Sequence, residues 1–139
     1  MNKDKKLFLF TFGNCLFLGS SATYQRMLFK DIVGQDSLKN RLTETVRENR
    51  VSHAWFFFGP EGSGTLPLSL ALARYILCTD RRESDSCGNC ASCRKVSRYI
   101  HPDLHFTFPV NKTRSVDKDS VVSDDFIADW RGFLLKQPA

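Results

Sequence analysis

No segment of this 139-residue chain is apolar for long enough to cross a bilayer; the stretch Leu7–Leu18 has 12 residues, against the ~20 that a spanning helix needs. Internal repeats and low-complexity tracts are absent, which excludes a solenoid. A strong charge of one sign is missing too. The 20 basic and 15 acidic residues leave +5, and residues 1–26 hold four bases and one acid of these, so the remainder stands at +2. Nucleic-acid binders gather lysines and arginines on one face, and this balance supplies no such footprint. Only three histidines are present. Neither His53 nor His101 has a nucleophile or carboxylate at a spacing that argues catalysis, so a structural role is the simpler reading of each.

One absence falls inside a motif. Gly59-Pro60-Glu61-Gly62-Ser63-Gly64-Thr65-Leu66 has the glycine spacing of a phosphate-binding loop, G-x-x-x-x-G-K-[ST]. In a working loop the glycines let backbone N–H groups curl around a phosphate, the lysine neutralises it and the hydroxyl holds Mg²⁺. Here the lysine position is Thr65 and the hydroxyl position is Leu66. Thr65 cannot stand in for that hydroxyl, because one residue along a helix turns the side chain away, and Ser69 lies too far down. The flanks fit the loop's shape. His53-Ala54-Trp55-Phe56-Phe57-Phe58 reads as a buried parallel strand ending at Gly59. After the loop, Leu68, Leu72, Tyr75 and Ile76 form one stripe of an apolar helix, with Pro67 in its first turn, where its missing N–H costs nothing. A glycine-rich turn without nucleotide ancestry is the bland alternative. Two lost charge-assisted contacts of ~1.5–3 kcal/mol each are worth on the order of a thousandfold in affinity. The expectation is little or no nucleotide binding and no hydrolysis by this chain.

Cys78, Cys87, Cys90 and Cys93 follow at once, spaced C-x8-C-x2-C-x2-C. Close pairs let a tight turn present several thiolates to one tetrahedral Zn²⁺, and Gly88, Asn89 and Ser92 are small residues suited to such turns. Arg74, Arg81, Arg82, Arg94 and Lys95 flank the set and would offset its negative charge. Free thiols and two disulfides remain the other readings, the second depending on compartment. His101 is a conceivable substitute ligand, but four thiolates already fill a tetrahedron. A closed four-cysteine site is structural rather than catalytic.

Together with Phe29-Lys30-Asp31-Ile32-Val33-Gly34-Gln35, His53-Ala54 and His101-Pro102-Asp103, these pieces make the chain, from about Met27 to about Asp103, resemble the N-terminal part of bacterial DNA polymerase III clamp-loader subunits. The order of the pieces, with the cysteine module directly after the loop helix, carries the specificity. The degenerate loop points to the delta-prime, non-ATPase branch rather than the gamma/tau motors. The resemblance implies an α/β fold, a partial AAA+ P-loop NTPase-like αβα sandwich with a parallel sheet and an inserted zinc module at 78–93. It also implies a non-enzymatic, cytoplasmic role with structural Zn²⁺ and without ATP. The implied partners are gamma/tau and delta subunits, with the sliding clamp and primed DNA reached through the complex, and no membrane. Val33-Gly34-Gln35 would lie near the nucleotide base in that family. An ATP-binding gamma/tau-like ATPase and a zinc-stabilised nucleic-acid module are the alternatives.

Residues 1–26 read apart from 27–139. Lys3, Lys5 and Lys6 precede the apolar stretch, and Gly19-Ser20-Ser21-Ala22 follow it, the pattern of a secretory leader. A start at Met27, leading straight into the resembling region, is the favoured explanation; the odd cysteine, Cys15, takes no role. No apolar run ending in a pair of acids follows, so the region is expected to be a fragment truncated before the second nucleotide motif, with open sheet edges and poor stability alone. Asp36 or Ser37 is expected to cap a helix running to about Asn49 with Leu38, Leu42 and Val46 as its stripe. Alternation at Leu104, Phe106, Phe108 and Val110 predicts a strand, Asn111–Val122 a polar loop, and Ser123 or Asp124 the cap of a helix bearing Phe126, Ile127, Trp130, Phe133 and Leu134.

Overall fold

Helix α2 (Thr65–Leu77) organises the fold because it is apolar on nearly every side: Leu68 through Tyr75 are all buried. A helix of that kind must be covered on both flanks. The computed structural model describes residues 8–11, 28–60, 62–111 and 121–136. Cys15, the Met27 start, Glu61 and the centre of the polar loop at 112–120 lie outside the described residues.

One flank of α2 presents Leu68, Ala71, Leu72 and Tyr75 to α1 (Asp36–Arg47), through Leu42 and Val46, and to Phe29 in a short 3-10 turn. Phe29 meets Tyr75 edge-on, ring centroids 5.9 Å apart. Gln35 precedes α1 in the left-handed conformation, φ 58, and no side chain caps the helix. The expected caps, Asp36 and Ser37, are therefore the first and second residues inside the helix. Of the expected stripe, Leu42 and Val46 are buried while Leu38 remains 41% exposed.

The other flank, Leu70 and Ala73, packs with Val96 of α3 (Ala91–Ser97), Tyr99, and Leu104 and Phe106 of β2 (Leu104–Thr107). A 3-10 turn, Ser123–Phe126, leads into α4 (Ile127–Lys136). Trp130 of α4 lies 4.5 Å from Phe106 and stacks on Phe108 at 5.2 Å, both between ring centroids. Ile127, Trp130 and Leu134 join this core as expected, but Phe133 is 58% exposed. Ser123 is placed where a cap was expected, yet its hydroxyl bridges the backbone N–H and carbonyl of Phe108 instead.

The sheet differs from the expected one. Its two strands are β1 (Phe8–Thr11) and β2, paired parallel with Phe8 opposite Leu104 and Thr11 opposite Thr107. β1 thus comes from the segment read as a leader. Among the described residues the anticipated strand at His53–Phe58 has no ladder partner. Its burial alternates with period two: Trp55 and Phe57 pack on the α1–α2 cluster, whereas Phe56 and Phe58 are 90% and 86% exposed. The reason is local. An apolar run becomes a two-sided buried strand only when neighbours cover both faces, and among the described residues only one face is covered. Among the described residues no helix is long and apolar enough to cross a membrane.

Tyr99 gives this core a pH signature. It is 2% exposed, and burial lifts its hydroxyl from the ordinary 10.0 to about 12. A raised folded-state value means its stabilisation is complete below the unfolded value and is lost as pH climbs through 10 towards 12, at ~1.4 kcal/mol per pH unit. Denaturant unfolding of wild type and Tyr99→Phe should therefore diverge by that slope between pH 10 and 11. A constant difference between the two proteins would contradict it.

Candidate functional site

The glycine loop and the cysteines stand at opposite ends of α2. At the N-terminal end, Ser63 N–H donates to the Pro60 carbonyl at 3.1 Å, closing a turn, and Leu68 N–H donates back to Gly64 at 3.0 Å. Gly64 begins the helix at φ +75, a conformation that side chains resist, which accounts for glycine there. A Cβ on Gly59 would meet the Ser63 side chain, which would have to turn aside to admit it.

Thr65 and Leu66 are the first two residues of α2, the positions where a working loop carries its cation and its metal hydroxyl. Leu66 packs against the Leu70–Phe106 core. Ser69, buried, returns its hydroxyl to the Leu66 carbonyl at 2.8 Å and is thereby satisfied within the helix. The Gly34-Gln35 turn does reach the loop: Gln35 Nε2 donates to the Ser63 carbonyl. Val33 is 97% exposed.

At the C-terminal end Cys78 follows α2 directly, and Cys90 begins α3. Sγ of Cys78 lies 3.6 Å from that of Cys87 and 3.9 Å from that of Cys90, and Cys87 and Cys93 are 4.0 Å apart. All four sulfurs fall within 4.8 Å of one another, and all are free of disulfides. A zinc tetrathiolate with Zn–S near 2.3 Å has sulfur–sulfur edges of ~3.8 Å. The four cysteines are positioned to bind a metal ion.

Backbone donors already favour thiolates here. Cys87 N–H points to Cys78 Sγ at 3.4 Å, Cys90 N–H to Cys87 Sγ at 3.3 Å and Cys93 N–H to Cys90 Sγ at 3.3 Å. The outcomes differ by site. Burial pushes the Cys78 thiol up to about 12 and also raises Cys93. Burial opposes ionisation of Cys90 as well, but hydrogen bonds from Thr79 and Cys93 outweigh it and bring that thiol down to about 5. His101 stays outside the set, its ring nitrogens facing the Ser92 hydroxyl at 3.4 Å and the Asp103 N–H at 3.2 Å. Burial lowers its basicity.

The arginines that flank the cysteines in sequence divide sharply in space. Arg81, Arg82, Arg94 and Lys95 are exposed, while Arg74 is only 4% exposed and donates from Nη2 to the Gly88 carbonyl at 3.1 Å. Tyr75, one residue on, donates its hydroxyl to the Arg82 and Glu83 carbonyls at 3.0 and 3.3 Å. Sequence reasoning missed both that pinning role of Tyr75 and the contribution of Thr79. The helical spacing of Tyr75 read only as core, and nothing in the sequence distinguished the hydroxyl's duty from the ring's.

Comparison with known proteins follows the same stretch of chain. A family profile described as "DNA polymerase III, delta subunit" matches residues 34–129. The DNA polymerase III subunit delta' of Bacillus subtilis is 32% identical over 75 residues, 54% of this chain and 22% of that protein. The subunit gamma of Buchnera aphidicola subsp. Baizongia pistaciae is 25% identical over 96 residues, 69% and 26% respectively. The subunit tau/gamma of Haemophilus influenzae is 27% identical over 113 residues, 78% and 16% respectively. The chain therefore spans roughly a quarter or less of the length of these relatives. No solved structure gives a significant match.

Proposed function

The chain belongs to the DNA polymerase III delta-subunit family of clamp-loader proteins, and from that premise we propose that it acts as a delta-prime-like, non-ATPase member of the loader. In this role it helps place the sliding clamp on primed DNA in the cytoplasm, beside gamma/tau and delta subunits that supply nucleotide chemistry. The observation that carries the reading is the loop Gly59–Leu66. Its glycines hold the tight turn, while Thr65 and Leu66 bring neither cation nor metal hydroxyl to it.

Residues 27–139 are read as the N-terminal part of an AAA+ αβα domain preceded by an extension at 1–26, with 78–93 as its zinc module. Cys78, Cys87, Cys90 and Cys93 would hold Zn²⁺, and the near-tetrahedral spacing of their sulfurs supports that choice. Bound there, zinc supplies a structural crosslink between the end of α2 and the start of α3 and leaves no open position for substrate. The chain's own residues orient the ligands: backbone N–H groups aim at the sulfurs, and Tyr75 ties down the 82–83 loop.

Affinity capture of this chain against gamma/tau and delta, with zinc counted per chain and nucleotide titrated alongside, tests the proposal. Retention of partners, one zinc and no tight nucleotide uptake are expected; tight Mg²⁺-dependent ATP binding would overturn it. That second outcome is the ATPase reading, which the gamma and tau/gamma relatives keep in play. Zinc-dependent DNA affinity with a steep salt slope would instead favour a nucleic-acid module.

A further inference from the structure

A zinc ion with four thiolates carries a net charge near −2, and this one would sit at the carbonyl end of α2, where the helix dipole is also negative. Two like-signed fields in a partly buried place need a counter-charge. Exposed arginines are poorly suited to supply it, because water screens them. Arg74 is different in each respect that matters. It lies one turn before Cys78 on α2, so its side chain runs along the same face of the helix. It is 4% exposed, and its Nη2 donates to the Gly88 carbonyl at 3.1 Å, inside the turn between Cys87 and Cys90.

Gly88 lies between Cys87 and Cys90 in sequence, so Arg74 braces the turn that carries both of those cysteines. A guanidinium is costly to bury, and Arg74 Nε has no partner among the described residues. Nothing in the apolar packing of α2 requires a cation at this position. An anionic centre beside it does.

We propose that Arg74 is the charge-compensating and positioning residue of the four-cysteine zinc centre, bracing through the Gly88 carbonyl the turn that carries Cys87 and Cys90 and tying the centre to α2. The inference rests on the zinc reading above. Groups that orient metal ligands from outside typically contribute 10–100-fold in metal affinity.

The test uses the whole chain as wild type, Arg74→Met, Arg74→Lys and Val96→Ala, the last loosening the same core without touching charge. Zinc affinity is measured by competition with a chromophoric chelator, and the cobalt(II)-substituted proteins are compared by their thiolate-to-metal charge-transfer bands. Arg74→Met is expected to bind zinc ~10–100-fold more weakly. Arg74→Lys should recover most of that affinity but show a shifted cobalt band, while Val96→Ala keeps the wild-type band. Should Arg74→Met not fold, Arg74→Lys decides: a shifted band supports the contact and a wild-type band overturns it. Met and Lys variants weakened equally, or a Met variant within threefold of wild type, would also overturn it. A wild-type chain that takes up no metal sinks the zinc reading together with this inference, whereas zinc binding indifferent to residue 74 sinks the inference alone.

Discussion

On the zinc reading proposed above, chelating the metal from Cys78, Cys87, Cys90 and Cys93, or replacing Cys93 with alanine, is expected to abolish the cooperative thermal transition of this chain. Cys93 is 0% exposed, and Val96 and Tyr99, just beyond it, close the core over Leu70 and Ala73 of α2. Without the crosslink, α3 is a helix of seven residues, too short to persist by itself. Structural zinc contributes ~10–16 kcal/mol to the folding of small sites, as much as the ~5–15 kcal/mol that stabilises a whole domain. Circular dichroism melts with and without excess chelator would read the effect, and an unchanged midpoint would refute it. The affinity should also climb with pH. Thiols must lose their protons to bind, and burial keeps Cys78 and Cys93 protonated above the ordinary range whereas Cys90 is already ionised at neutral pH. Each proton displaced on binding corresponds to about a tenfold gain in affinity per pH unit around neutrality.

The opposite kind of change, a gain, is expected at the other end of α2. Thr65→Lys with Leu66→Thr brings a cation and a hydroxyl to a turn whose glycines take left-handed backbone, Gly64 at φ +75 and Gly62 at φ +82. Two charge-assisted contacts of ~1.5–3 kcal/mol correspond to on the order of a thousandfold in nucleotide affinity. Leu66 packs against the core, so the double variant should lose some stability while gaining the ligand. Isothermal titration with Mg²⁺-ATP distinguishes the outcomes. If the double variant binds no better than wild type, the loop's shape is not that of a phosphate cradle.

Much of this was legible in the residues because the signals were local. The loop's glycines, the spacing of the four cysteines and the alternation at Leu104 and Phe106 each depend on a few neighbouring residues; the structure gathers the four sulfurs and buries Leu104 and Phe106. The α2 helix was legible as a helix but not in its burial. The sequence reads as a strongly apolar helix with one stripe at Leu68, Leu72, Tyr75 and Ile76, and the structure adds that Leu70 and Ala73 serve a second core. Which neighbours will cover a flank is a tertiary fact that periodicity does not encode. The run from Trp55 to Phe58 failed for the same reason. Its composition suits a buried strand, but pairing needs a partner, and the ladder partner of β2 came from Phe8–Thr11 instead. Arg74 stood among five flanking cations in sequence, and only packing set it apart from the others.

Helix α2 has one property that neither of its ends reveals alone. Thirteen residues at 1.5 Å each make a rod of ~20 Å, gripped by cores along both sides. The shaft therefore sets the spacing between the glycine turn and the sulfurs, and that distance is far beyond the reach of any single side chain.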